Sequence, residues 1–369
     1  MGGAEYSLRD LMTFAASQAR CHLVTSEPGA LATDAARAGI TCHVVPCAMK
    51  QRTSLREHLV LRGILSFGDV AAFCAYVIRL RGLVRRLNPD VIHANVPKSH
   101  VAVFLVAFLG YRGRCYFHLR EIFEKKSAPY FLYSVLFPKT RASVIAISHA
   151  VHMSLPKRIR AKSSVIYNGV SIGNGLRASM SNQASLRLLY LGRVVPWKGC
   201  HVLVDILARL RQRYRRSTLT LSIVGDSSYW SQDYRQSLKD QINELGLSSC
   251  CTMHDHTNAV KEEFARHDVF VNASQKEPFG RSVAEAQGSG MPVLAFDSGG
   301  IGEIVIDGET GFLVDYGDID AFVNACGKFA EHPELAQTMG NKGFERARKY
   351  FNKEIQIPAI LKYVMEGVG

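Results

Sequence analysis

Short apolar or β-branched runs alternate with longer amphipathic stretches along most of the chain. In the first half, the runs that fit strands are Cys21 to Thr25, Thr41 to Val45, Val91 to Ala94, Cys115 to His118, Val144 to Ile147 and Val165 to Tyr167. In the second half, they are Arg187 to Leu191, Thr218 to Val224, Val269 to Asn272, Pro292 to Phe296 and Gly311 to Val314. This alternation is typical of parallel βαβ units. It predicts an α/β protein with two doubly wound parallel sheets.

The length of 369 residues exceeds what one hydrophobic core usually organises, so two domains are expected. We predict them at residues 1–170 and 171–349, with the Ser-, Gly- and Asn-rich segment from Ser171 to Asn182 as the linker. Residues 350–369 are predicted to form a terminal helix, from Tyr350 to Val368, that packs back on the first domain. Open parallel sheets bind ligands beyond the carboxyl ends of their strands, so the reaction site is predicted in a cleft between two facing domains.

The start of the chain lacks an expected strand. A doubly wound domain opens with a strand that becomes its central one and leads into a Gly-rich turn. Here the glycines Gly2 and Gly3 come directly after Met1. Either the first strand is missing from this chain, or the coding sequence begins upstream of Met1.

Composition narrows the class of protein. With 47% hydrophobic and 21% charged residues, the chain is an ordinary globular protein, which excludes disorder, collagen and coiled coil. The longest apolar run, Val101 to Leu109, is too short to span a bilayer and fits a buried helix or an interfacial segment. The N-terminus lacks the features of a signal peptide, and the nine scattered cysteines predict reduced thiols without a metal site. We therefore expect a cytoplasmic protein.

The net charge of +13 is concentrated in the first half of the chain. Residues 1–170 hold 23 Lys and Arg against 9 Asp and Glu, whereas residues 171–369 hold 22 against 23. Such a basic domain attracts acidic lipid headgroups, nucleic acid or an anionic substrate, and the alternative is a merely solubilising surface. The amphipathic stretch Arg79 to Leu87 and the aromatic run Tyr130 to Tyr133 favour the inner face of an anionic membrane. Nucleic acid is not expected, because no zinc finger, RNP-like run or helix-turn-helix signature is present.

The strongest chemical signal is the stretch from Glu277 to Ala286, which reads E-P-F-G-R-S-V-A-E-A. A strand ending near Asn272 passes through a Gly-containing loop into a helix, whose first N–H groups and dipole suit a diphosphate. Glu277 and Glu285 flank that position and can accept hydrogen bonds from sugar hydroxyls. The alternative is a capping box, in which Glu285 closes the helix start at Ser282.

A second cluster follows the strand that ends at Leu191. The loop from Gly192 to Gly199 presents Arg193 and Lys198, two cations that can neutralise a departing diphosphate. Taken alone, the same residues fit an exposed basic turn.

Together these motifs resemble the family 4 (group 1) retaining glycosyltransferases, which have the GT-B fold of two Rossmann-like domains. Glu277 and Glu285 match the family's E-x7-E signature, and Gly192 to Gly199 is similar to its G-R-x-x-x-x-K-G loop. The similarity continues in the same order through Gly288 to Ala295, Gly299 to Val305 and Asp307 to Val314.

The resemblance implies roles for named residues. Glu277, Arg193, Lys198 and His118 are the expected catalytic residues. The expected donor-binding residues are Glu285, Phe279, Gly280, Arg281, Ser282, Gly3 and Gly225. It also implies a metal-independent reaction with no cofactor beyond the donor. The sequence Asp318-Ile319-Asp320 is therefore interpreted as a helix-start turn and not as a D-x-D metal motif.

Three of these matches depart from the family pattern or rest on single residues. Gly3 resembles a residue of the N-terminal glycine loop, with a flexible terminus as the alternative. His118 resembles the family's cleft histidine, with a packed histidine as the alternative; Leu119 stands where Asp is common, so Glu121 is the candidate carboxylate. Gly225 resembles the turn beside the nucleobase, although Ser227 replaces the second glycine and leaves the base open.

The sequence thus predicts retaining transfer of a sugar from a nucleoside-diphosphate sugar to an acceptor hydroxyl, in surface polysaccharide or glycolipid synthesis. The expected partners are that donor, a sugar or lipid-linked acceptor, and an anionic membrane surface. Two alternatives stay open. One is an epimerase or phosphorylase of the same fold, and the other is a non-catalytic or truncated sugar-nucleotide-binding protein.

Overall fold

A computed structural model describes residues 3–48, 67–125, 127–137, 140–173, 185–214, 218–226 and 232–366. Its contacts divide the chain into two compact units. The first unit comprises Met1–Asn168 and Glu354–Gly369, and the second comprises Gly169–Lys353. Most of the predicted linker, Ser171 to Asn182, lies outside the described residues.

The first part of the chain alternates strands and helices. In order, the elements are α1 (Gly3–Ala15), β1 (His22–Thr25), α2 (Ala30–Arg37), β2 (Thr41–Val44), α3 (Phe67–Leu87), β3 (Val91–Ala94), α4 (Pro97–Phe108), β4 (Arg114–Leu119), α5 (Ala128–Leu136), β5 (Ala142–Ala146), α6 (His149–Ser154), α7 (Lys157–Arg160) and β6 (Ser163–Val165).

The second part follows the same plan. Its elements are β7 (Ser185–Leu191), α8 (Cys200–Arg213), β8 (Thr218–Val224), α9 (Gln232–Glu244), β9 (Cys251–His254), α10 (Val260–Arg266), β10 (Val269–Asn272), α11 (Arg281–Gly288), β11 (Val293–Asp297), α12 (Ile301–Ile304), β12 (Gly311–Asp315), α13 (Ile319–Glu331), α14 (Pro333–Tyr350) and α15 (Lys353–Glu366).

The sheet of the first unit is in two pieces. Strands β1 and β2 pair in parallel, and β3, β4, β5 and β6 form a separate parallel sheet in that order. No ladder joins β1 to β3 within the described residues, yet Val24 and Ile92 from these strands pack against one cluster centred on α3 and α4. In a doubly wound sheet the opening strand lies at this position. The gap between β1 and β3 is therefore at the position that a doubly wound sheet gives to its opening strand.

Helix α15 packs on the first unit. Ile360 and Val364 share a buried cluster with Leu11 of α1 and Tyr116 of β4. The predicted helix was to begin at Tyr350, but Tyr350 ends α14, and a bridge between Val170 and Asn352 separates the two helices.

The second unit has one six-stranded parallel sheet in the order β12-β11-β10-β7-β8-β9. Helices α8 and α13 bury their apolar sides against it, for example through Leu207 and Phe322. Strand β9 was not predicted. It is short, lies at the edge of the sheet and exposes Thr252 and His254, so it lacks the apolar run that marks the other strands.

Two stretches proposed to contact a membrane are partly buried. Within Arg79 to Leu87, the apolar side chains Leu80, Leu83 and Val84 lie in the core of the first unit. The apolar side of this stretch is therefore not available to a bilayer, and only its basic side is exposed. In the aromatic run, Tyr133 is buried whereas Phe131 is exposed.

The described helices include none with both the length and the apolar character needed to cross a membrane. The apolar run from Val101 to Leu109 falls mainly in α4 and the residue that follows it. That helix buries Val103, Phe104 and Val106 and exposes Phe108.

Candidate active site

The loops that follow four neighbouring strands of the second unit meet at the carboxyl edge of its sheet. The Gln275 N–H donates to the Trp197 carbonyl at 2.8 Å, which links the loop after β10 to the loop after β7. The Gly300 N–H, after β11, donates to the Glu277 carbonyl at 2.7 Å. Most predicted site residues therefore lie at the edge where open parallel sheets bind ligands.

Lys198 and Glu277 form an ion pair at this edge, with the Lys198 ammonium donating to Glu277 Oε2. Only 12% and 9% of the two side chains are exposed. The Lys198 ammonium lies 4.5 Å from the centre of the Trp197 ring, and the Arg193 guanidinium lies 5.6 Å from it. Two predicted cations thus flank one indole ring, and one of them contacts the predicted sugar-binding carboxylate.

Helix α11 begins at the same loop. Its N-cap is Gly280, with φ of 99°, a left-handed conformation that favours glycine. The first intrahelical bond runs from the Ala284 N–H to the Gly280 carbonyl. The N–H groups of the first helical turn precede this bond, and the start of a helix suits an anion.

Glu285 does not form the predicted alternative, a capping box. The N-cap is Gly280, and Ser282 is the second helical residue. The Glu285 carboxylate instead accepts from Arg281 Nε at 2.8 Å, one turn earlier on the same face. The Glu285 side chain stays 22% exposed, and a carboxylate can accept hydrogen bonds from more than one donor.

Phe279 does not present its side chain to a ligand. The residue is 2% exposed and its ring lies 5.7 Å from that of Phe351. A contact between Phe279 and a donor is therefore limited to the backbone.

Gly225 holds the loops after β7 and β8 together. Its φ is 158°, and a Cβ atom here would lie 1.7 Å from the Gly192 carbonyl oxygen. Next to it, the Val194 N–H donates to the Asp226 carbonyl at 3.1 Å. Ser227 lies outside the described residues.

Gly225→Ala is expected to lower the free energy of unfolding of the second unit by about 3 kcal/mol or more, because two backbone segments must separate. The control is Gly246→Ala, since Gly246 has φ of 64° and no atom near its Cβ position. That control should lose only about 1 kcal/mol. Urea unfolding followed by tryptophan fluorescence measures both, and equal losses would contradict the close-approach role.

The first unit carries a polar cluster at the carboxyl ends of its strands. Arg120, directly after β4, donates through Nε to Asn95 at 3.0 Å and through Nη1 to Asn168 at 2.6 Å. Asn95 Nδ2 donates to the Ala4 carbonyl at 3.3 Å. Sequence reasoning missed all three polar side chains, although Asn95 and Arg120 directly follow strands, which was the available signal.

His118 lies within this cluster and is 1% exposed. Its Nε2 atom makes no hydrogen bond to any described residue, and its ring lies edge-on to His93 at 5.4 Å. Burial lowers the pKa of His118 well below its ordinary value, and the charge of Arg120 adds to the effect. The buried ring is consistent with the packed alternative, so a catalytic role for His118 requires a ligand that reaches Nε2.

Two neighbouring histidines are also held neutral. Burial, aided by Arg120, lowers the pKa of His93 to about 4. Burial lowers the pKa of His100 to about 3, and this ring bridges the Ala94 carbonyl at 3.1 Å and the Tyr133 hydroxyl at 2.5 Å. At neutral pH the permanent charge in this cluster is therefore that of Arg120.

Gly3 and Glu121 are two further candidate residues of the first unit. Gly3 begins helix α1 and accepts from the Ser7 hydroxyl at 3.0 Å, so it belongs to a helical turn and not to a loop. Glu121, the candidate carboxylate beside His118, is exposed.

The Asp318-Ile319-Asp320 sequence forms the predicted helix start. Asp318 Oδ1 accepts from the Ala321 N–H at 2.9 Å and caps α13, and Asp320 pairs with Arg209 at 2.7 Å. The described part of the chain contains no group of three His, Cys, Asp or Glu side chains placed to hold a metal ion.

Two family profiles together match most of the chain. Residues 1–173 match the family described as Glycosyltransferase Family 4, and residues 177–346 match Glycosyl transferases group 1. The chain belongs to the group 1 glycosyltransferases. The site at the carboxyl edge of β7, β8, β10 and β11 falls within the second match.

Curated relatives of this group 1 glycosyltransferase include enzymes of polysaccharide synthesis. This chain is 22% identical over 332 residues to the capsular polysaccharide biosynthesis glycosyltransferase CapM of Staphylococcus aureus. The alignment covers 83% of this chain and 84% of CapM. The chain is 32% identical over 172 residues to D-inositol 3-phosphate glycosyltransferase of Streptomyces griseus. That alignment covers 46% of this chain and 36% of the relative.

Solved structures establish the fold as GT-B with two Rossmann-like domains. HepE of Anabaena, in complex with UDP-glucose, matches with a TM-score of 0.81 at 24% identity, covering 100% of this chain and 97% of HepE.

Proposed function

We propose that this protein transfers a sugar from a nucleoside-diphosphate sugar to an acceptor hydroxyl, with retention at the anomeric carbon. The observation that carries the proposal is the meeting of Arg193, Lys198, Glu277 and the start of α11 at one sheet edge. This arrangement supplies cations and backbone N–H groups for a diphosphate, beside a carboxylate for sugar hydroxyls.

Each group has a distinct task in the proposed reaction. The bond between the anomeric carbon and the diphosphate oxygen breaks while Arg193, Lys198 and the α11 N–H groups stabilise the growing negative charge. The acceptor oxygen bonds to the anomeric carbon from the same face, and its proton passes to the departing diphosphate. Glu277 positions the sugar, and Glu285 holds the ribose. No metal ion is required in this scheme, because the fixed cations neutralise the leaving group.

We propose an acceptor in surface polysaccharide or glycolipid synthesis. The similarity to CapM supports this class of acceptor. The charge of the first half, with 23 Lys and Arg against 9 Asp and Glu, supports a cytoplasmic site of action on the inner face of an anionic membrane.

A panel of UDP-, GDP- and ADP-sugars tests the donor site directly. We expect saturable binding and slow hydrolysis of one donor, with both reduced about a hundredfold in Arg193→Ala and in Glu277→Ala. The matched controls are Arg209→Ala and Glu345→Ala, exposed residues of the second unit whose replacement should leave both values unchanged. Absence of binding by folded wild-type protein would overturn the proposal, and formation of an epimer without acceptor would assign a different reaction.

A further inference from the structure

A cleft rich in arginine opens at the amino edge of the four-stranded sheet in the first unit. Its volume is about 600 Å³. Asp90, which precedes β3, and Arg114, which begins β4, place it at the amino ends of these strands. Arg120 and its polar cluster lie at the carboxyl ends. The cleft is therefore distinct from the strand ends that carry the predicted transfer chemistry.

The cleft has a strong charge imbalance. Four arginines line it, Arg81, Arg85, Arg112 and Arg114, against the single carboxylate of Asp90. In the described part of the chain, none of the four guanidinium groups lies within ion-pair distance of a carboxylate. Arg85, Arg112 and Arg114 are exposed. Because unneutralised arginines around one concave site repel one another, an anionic ligand would stabilise the arrangement.

Two of the arginines are fixed by the fold. Arg81 Nε donates to the Leu109 carbonyl at 3.0 Å, and Arg114 Nη1 donates to the Met365 carbonyl at 3.2 Å. Arg85 and Arg112 make no hydrogen bond to described residues through their side chains. The site thus combines two positioned guanidinium groups with two that are available to a ligand.

Exposed apolar side chains lie close in sequence to residues of the cleft. Leu109 lines the cleft and is 42% exposed, and its neighbour Phe108 is 73% exposed. Ile78, one turn before Arg81 on α3, is 67% exposed. Apolar side chains beside arginines suit the boundary between lipid headgroups and acyl chains.

We propose that this cleft binds the phosphate group of a phosphate ester, a ligand in addition to the sugar donor and the acceptor. Arginine suits this chemistry because its planar guanidinium makes paired hydrogen bonds to phosphate oxygens. The ester is either the headgroup of an anionic phospholipid or a soluble phosphate ester, and the exposed side chains of Leu109, Phe108 and Ile78 favour the lipid.

The test compares two pairs of substitutions in the full chain. Arg85→Gln with Arg112→Gln removes two cleft charges that make no structural hydrogen bond. Arg20→Gln with Arg158→Gln removes two exposed charges from the same unit, outside the cleft. The probes are phosphatidylcholine vesicles with and without phosphatidylglycerol, measured by co-sedimentation, and glycerol phosphate, measured by calorimetry. No sugar donor is present, so the result is independent of the proposed transfer reaction.

We expect the cleft variant to bind at least one probe about tenfold more weakly than wild type, and the control variant to stay within about twofold. Loss confined to phosphatidylglycerol vesicles identifies a lipid headgroup, and loss that includes glycerol phosphate identifies soluble esters as ligands too. Equal weakening in both variants would overturn the proposal, because net charge alone would then explain binding. Absence of binding to either probe by wild type would also overturn it.

Discussion

Lys198→Met is expected to lower the free energy of unfolding of the second unit by about 3 kcal/mol and to reduce turnover about a hundredfold or more. The variant leaves the Glu277 carboxylate buried without its cation, since Glu277 is only 7% exposed. It also removes one of two cations proposed to stabilise the departing diphosphate. Because the Lys198 charge serves both purposes, stability and turnover should fall together in this variant.

The double variant Lys198→Met with Glu277→Gln separates the two effects. It removes both charges, so most of the lost stability should return while turnover stays low. Both tryptophans, Trp197 and Trp230, belong to the second unit, so the fluorescence midpoint in urea measures that unit alone.

The exposed pair Arg348–Glu345 provides the control, with side chains 61% and 56% exposed. Arg348→Met should change the free energy of unfolding by less than about 1 kcal/mol. If Lys198→Met had no larger effect than this control, the buried pair would contribute no more to stability than an exposed one.

The fold of the second unit was largely predictable because its strands are nearly continuous apolar runs. Val269–Asn272 and Val293–Asp297 are buried along almost their whole length, as expected for inner strands of a parallel sheet. Strand β9, Cys251–His254, lies at the edge of the sheet, and alternate side chains along it are exposed. It therefore lacks the continuous apolar run by which the other strands were predicted.

The site was predictable only as far as residues close in sequence define it. The motif around Glu277 and the loop around Lys198 were each found, but their direct ion pair joins residues 79 positions apart. The same limit applies to Arg120, which depends on Asn95 and Asn168 from two other strand ends. Pairings of this kind depend on strand order, which a single sequence does not specify.

Acid is expected to unfold the first unit before the second. In the folded protein the pKa values of His93 and His100 are about 4 and 3, and burial also lowers the pKa of His118. Histidines in the unfolded chain titrate near 6.5. The unfolded chain therefore binds more protons below pH 6.5, and stability falls as the pH falls. His93 and His100 should each lower the free energy of unfolding by about 2 kcal/mol at pH 5, and His118 acts in the same direction. Their sum is a large part of the stability of a typical domain.

The charged surroundings reinforce this direction. Arg120 lies beside His93 and His118 and opposes their protonation, and the Tyr133 hydroxyl bound to His100 stays neutral because burial raises its pKa. Glu121 is near Tyr133 but exposed, so it compensates little of the added charge.

Hydrogen exchange at β3 and β4 follows the first unit between pH 7 and pH 5, while tryptophan fluorescence follows the second. Wild type should lose protection in these strands at a pH where the fluorescence is still native. His93→Gln and His118→Gln should each remove about one proton from the uptake that wild type shows on unfolding near pH 5. Uptake equal to that of wild type in both variants would show that the buried histidines do not determine acid stability. Loss of that uptake in both variants would show that Arg120 lies among neutral rings because burial excludes their protonation.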